Sequence, residues 1–93
     1  QLNGLGYALL KHGQQQSAVA IFEKNAALFP KSFNVFDSLA DGYLAAGDST
    51  RATAALEKEL AAIAAFPHRA VPAVQQLEAR AREQIARLKG ARE

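Results

Sequence analysis

The sequence predicts an all-α fold, an α-solenoid of two antiparallel helical hairpins followed by a C-terminal capping helix, on three observations. The first is composition: 49% of the 93 residues are apolar, 21 are alanine and 22% are charged, the profile of a soluble helical protein with room for one domain. The second is self-similarity, because residues 2–66 repeat with an offset of 34. The third is the run 71–89, where Val71, Val74, Leu77, Ala81, Ile85 and Leu88 recur at helical intervals.

Taken in order, the first unit is expected within 1–31, the second within 32–66 and the cap within 70–90. Leu2, Leu5 and Leu9 make one apolar stripe, and Phe36, Leu39 and Tyr43 repeat its interval 34 residues later. Gly13 and Gly47 stand where a left-handed residue ends a helix, and Asp48 with Ser49 offers a cap to the helix that follows. Small residues at Gly6, Ala18, Ala40 and Ala52 let backbones approach closely, while Phe22 and Leu56 fill the space one turn further along. Pro30 stops the first hairpin and Ser32 is placed to cap the third helix. In the second unit the equivalent position is Ala64 and Pro67 comes later, so the fourth helix is expected to run about one turn longer. In the last stretch Pro72 suits a first turn, and Glu78–Arg82 and Glu83–Arg87 are i, i+4 pairs in the favourable order. That helix reads as a cap over the solenoid end; the same stripe could instead pair with another chain as a short coiled coil.

The paired positions Leu2/Phe36, Leu5/Leu39, Gly6/Ala40, Leu9/Tyr43, Gly13/Gly47, Ala18/Ala52 and Phe22/Leu56, with Glu23-Lys24 returning as Glu57-Lys58, resemble the tetratricopeptide repeat. Asn25 and Glu59 depart from that pattern, which usually has alanine there. The phrasing "LGYALLKHGQQQSAVAIFEKNAALFPKSFNVFDSLADGYLAAGD" is also similar to the C-terminal repeat segment of certain bacterial serine hydrolases, of the esterase and β-lactamase-related kinds.

No nucleophile elbow, zinc-protease motif, phosphate-binding glycine loop or Cys/His metal spacing occurs, so neither enzyme activity nor a cofactor is expected of these residues. His12 and His68 read as a helix-end and a loop histidine. Residues 1–66 hold five basic and six acidic side chains and residues 67–93 hold six and three, an excess too thin for a nucleic-acid footprint. The longest apolar run, "ELAAIAAF", falls well short of the roughly 20 residues of a membrane helix. The absence of cysteine leaves bacterial cytoplasm and periplasm both open. Gln1 lies inside an apolar pattern and methionine is absent, so a longer parent polypeptide is expected, with the Ala8–His12 edge docking on a preceding domain or, in isolation, on a second copy.

Asp37 and Asp41 sit one turn apart on one helix face. Two readings stay open: Asp37 in a first turn favoured by the helix dipole with Asp41 solvated, or both contacting a basic group of a ligand. The repeat resemblance implies a concave groove lined by Asn3, Tyr7, Leu10 and Lys11 from the first unit and Asn34, Asp37, Ser38, Asp41 and Leu44 from the second. It also implies that chaperone-tail binding is disfavoured, because aspartates at 37 and 41 would repel a terminal carboxylate. Two functions follow as expectations: an interaction module holding a peptide or neighbouring domain in that groove, or an accessory domain of a hydrolase shaping a substrate entrance or dimer interface.

Overall fold

The structure, a computed structural model, describes residues 3–68 and 70–91 and is all-helical: α1 (Asn3–Lys11), α2 (Gln15–Leu28), α3 (Phe33–Ala45), α4 (Ser49–Ala65) and α5 (Pro72–Ala91). Each helix packs chiefly on its neighbours in the chain, α3 against α4 most extensively, and α1 also touches α3.

Both tight turns are built alike. Gly13 and Gly47 have φ of 76° and 79°, which a side chain would strain. At the first turn Gln14 N–H reaches the Leu9 carbonyl and Gly13 N–H that of Leu10; at the second, Asp48 and Gly47 do the same to Tyr43 and Leu44. This is the paired closing bond of a Schellman motif, and it satisfies carbonyls that the helix end would leave bare. Asp48 then caps α4, its carboxylate accepting from Arg51 N–H at 3.0 Å. Ser32 stands at the start of α3 but makes no side-chain cap bond, so the expected cap is missing there. Phe66 N–H reaches the Ile63 carbonyl at the end of α4, which at 17 residues exceeds the 14 of α2 by about one turn.

Burial follows the small-residue positions. Ala18 and Ala52 are fully buried, as are Phe22 and Leu56. Phe22 enters from α2 between Gly6 of α1 and Gly42 of α3: a Cβ at Gly6 would overlap its ring, and one at Gly42 would come within 2.8 Å of it. Phe36, Leu39 and Tyr43 form a buried stripe on α3 as expected, whereas in the first unit Leu5 is 51% exposed and Leu2 lies outside the described residues. The difference has a geometric cause: α3 packs on α1, α2 and α4, whereas among the described residues α1 packs mainly on α2 and α3 and turns Leu5, Ala8 and His12 to water. On α5, Val74 and Ala81 are buried and Leu77, Ile85 and Leu88 are half-buried against the rest. Val71 precedes that helix and is exposed, since the turn through His68 and Val71 carries it off the stripe. The Glu78–Arg82 and Glu83–Arg87 pairs form on the outer face at 3.5 and 2.7 Å.

The two glycines at either end of α1's first turn test this geometry against each other. Gly6→Ala should destabilise the domain by about 1–3 kcal/mol, because the Phe22 ring is held on its other side by α3 and cannot step back. Gly4→Ala, whose Cβ meets nothing within 4 Å, should instead stabilise by about 0.5–1 kcal/mol through helix propensity. Urea melts of the two variants check both signs.

Candidate functional site

The face where α1, α3 and α5 converge carries the most concentrated polar chemistry of the molecule. Asp37 is not in the first turn of α3, which begins at Phe33, and dipole stabilisation therefore does not account for it. Its partner is Arg80 of α5, whose Nη2 lies 2.8 Å from both carboxylate oxygens. Asp37 is 17% exposed and Arg80 53%, so the acid is sheltered and the base spans from it to solvent. Asp41 is half-buried and not freely solvated: the Tyr7 hydroxyl donates to it at 2.6 Å. That phenol has a single proton, so the Ser38 hydroxyl, 3.2 Å away, donates to Tyr7 in turn. Burial, then the bond to Asp41, pushes the Tyr7 phenol up to about 12. Burial also raises the Asp41 carboxyl; the Asp37 charge adds to this and the Tyr7 bond opposes it.

A third acid belongs to the cluster. Glu59 of α4 is fully buried, and neither oxygen meets a hydrogen-bond donor among the described residues. Burial is the main cause that lifts its carboxyl to about 8; the neighbouring Asp37 charge adds, and Arg80 offsets part. A carboxyl pushed up in this way by its dry surroundings and by the nearby Asp37 charge favours its protonated form. Three carboxyls from α3 and α4 thus lie together with one guanidinium from α5, which contacts Asp37 alone, and Asp41 is left without a basic partner among the described residues.

The remaining groove candidates divide. Asn34 and Lys11 are exposed on the helix surface. Leu10 and Leu44 are half-buried and pack on the hydrophobic core instead of standing open. Asn3 is turned toward α2, where its Oδ1 accepts from Asn25 Nδ2 at 2.8 Å. Sequence reasoning placed Tyr7, Asp37, Ser38 and Asp41 on one face, and the structure brings them together; it missed Arg80 and Glu59. Glu59 had a signal, a charged residue where the repeat resemblance implies a small one, whereas Arg80 had none, being 43 positions from Asp37. Elsewhere Tyr43 donates to Glu23, and burial with that carboxylate lifts its phenol to about 12. Among the described residues no group of three or more His, Cys, Asp or Glu is arranged to hold a metal ion, and no helix is long and apolar enough to cross a membrane. Comparison with protein-family models, curated proteins and solved structures finds no match for this chain.

Because the folded-state value of Glu59 lies above its ordinary 4.5, its contribution to stability is full at low pH and is lost as pH rises to about 8. The same carboxyl faces Asp37 and Asp41 from α3 and Arg80 from α5, and Asp41 is displaced in the same direction. Thermal melts should therefore decline between pH 5 and 8.5, by about 4–8 °C for each kcal/mol lost. In Glu59→Gln, which keeps the shape and cannot ionise, that decline should largely disappear and the midpoint at pH 8.5 should exceed that of the parent.

Proposed function

We propose that the chain is a protein-interaction module of tetratricopeptide type, two hairpins and a cap, which holds a segment of another protein across the α1–α3 face. The architecture is supported by the succession of contacts, each helix lying on its successor and α1 on α3, and by the twin glycine turns spaced 34 residues apart. The observation that carries the binding reading is the shortage of base in the cluster: Asp37 and Asp41 lie one turn apart, and the single arginine beside them contacts Asp37 only. A lysine or arginine from a partner would supply the missing positive charge. It would meet Asp41 beside Tyr7 and compete with Arg80 for Asp37, while the apolar part of the segment would rest on the partly exposed Tyr7 ring. Charge-assisted bonds to sheltered carboxylates are among the stronger polar contacts available to such a surface.

The test uses fluorescein-labelled extended peptides with one central arginine between apolar residues, and the same peptides with glutamate in its place. Anisotropy should rise saturably with the arginine peptide only, and Asp41→Asn should weaken binding. Arg80→Ala removes the internal competitor: it should tighten the arginine peptide while lowering stability by about 1 kcal/mol, as befits a half-exposed pair. Equal binding of the arginine and glutamate peptides, or an Arg80→Ala variant that loses affinity, would refute the reading.

A further inference from the structure

We infer that a second docking surface, on a different side of α4 from Glu59, receives a short acidic amphipathic helix from a partner protein through an apolar groove flanked by Lys31 and Lys58. The inference does not depend on the carboxyl cluster.

The groove has a volume of about 710 Å³ and opens between the end of α4 and the α2–α3 connection. Phe36 and Phe66 line it together with Ala61 and Ala65, one turn apart on α4, whose small side chains leave room for larger ones. A second depression, lined by Phe29 and Ser32, shares Pro30 and Lys31 with it. Leu28 and Phe29, 59% and 41% exposed, leave further apolar surface uncovered at the end of α2, and Phe29 lines the second depression. A domain of this size gains nothing in stability by leaving two large apolar residues and an alanine-lined trough open to water, and contiguous apolar surface of this kind marks an interaction site. Its shape suits a helix that lays two apolar side chains, four residues apart, along the trough.

Charge decides which helix. The groove's lining holds two cations and no anion, with Lys31 on the loop side and Lys58 on α4, and neither lysine is within ion-pair distance of a carboxylate among the described residues. A helix with glutamates on both sides of its apolar stripe would pair with both rims. A second copy of this chain is a poor occupant, because its uncovered face, the Leu5, Ala8 and His12 side of α1, has no acidic residue to offer. The α5 stripe is already engaged on the rest of the molecule.

The probe is a fluorescein-labelled helical peptide of about 14 residues, four turns, with two leucines four apart and glutamates flanking them. A saturable anisotropy rise is expected with the full chain. It should weaken about tenfold or more in the Lys31→Glu/Lys58→Glu double variant and with a peptide whose glutamates are lysines. Ala61→Glu, an exposed position where a carboxylate would both obstruct the groove and capture Lys58, should weaken it similarly. All three substituted residues are exposed, so the far-UV circular dichroism melt should be close to that of the parent, and Asp41→Asn should leave this peptide's affinity unchanged, separating the two surfaces. Absence of saturable binding, equal affinity for the lysine peptide, or full affinity in the charge-reversed variant would overturn the proposal. So would binding of phosphatidylglycerol vesicles without the peptide, which would assign the lysines to a lipid surface. Concentration-dependent light scattering abolished by Ala61→Glu would assign the groove to a second copy and overturn it equally.

Discussion

The Phe22 ring has a glycine on either side of it, and the placement of the first three helices follows from that. With Gly6 and Gly42 lacking side chains, α1 and α3 both close onto a ring projected from α2, and the aromatic group becomes the spacer that sets their separation. Burying a phenylalanine completely contributes on the order of 1.5–3 kcal/mol, which is a large share for a domain of this length. The same ring has a second effect. Tyr7 meets it edge to face, with centroids 5.2 Å apart, and that contact orients the phenol so that its hydroxyl reaches Asp41. Core geometry and surface chemistry are thus joined in one residue.

The second hairpin solves its interior differently. Leu56 fills the position equivalent to Phe22, and one turn on, Glu59 buries a carboxyl where the first hairpin has the amide of Asn25. An unpaired buried charge would be costly, and the chain avoids this by keeping the proton and by bringing Arg80 over the neighbouring Asp37. The last helix therefore has two attachments of unlike character: Val74 and Ala81 buried in apolar surroundings, and one bidentate arginine at the polar face, with the weak Lys89–Glu57 contact at 3.8 Å beyond them. A helix held this way can be loosened electrostatically without the apolar seam being disturbed first.

What the sequence made legible was local and periodic. Gly13 and Gly47, Pro30, the alanines at 18 and 52 and the longer fourth helix all act within a few residues of their own position, so a repeat offset is enough to find them. Asp37 and Asp41 were legible as one face for the same reason, since helical spacing puts them one turn apart, whereas Tyr7 and Ser38 joined them only through the repeat resemblance. What escaped depends on how whole helices are rotated against one another. The Arg80–Asp37 pair, the Asn25–Asn3 bond and the Tyr43–Glu23 bond link different helices, and no spacing rule distinguishes them from many alternatives. Leu5 looked like its counterpart Leu39 and is exposed, because identity at a repeat position does not supply the neighbour that would bury it. Ser32 had the right residue type for a cap and makes no such bond, which shows that a capping preference is statistical where the local backbone does not bring the hydroxyl to an amide.

The neighbour-to-neighbour arrangement of the helices also sets how quickly the native state is reached. Each helix finds its principal partner across a turn or short connection, so the loops that must close are small and their entropic cost is slight. Chains with such low contact order fold in microseconds to milliseconds, far faster than sheets of comparable length. The slow events are the few that bridge distant parts of the chain, the Tyr7–Asp41 bond and the Arg80–Asp37 pair, which span 34 and 43 residues. Hairpins that assemble early and polar clasps that fasten late would leave the carboxyl face as the last part of the surface to mature.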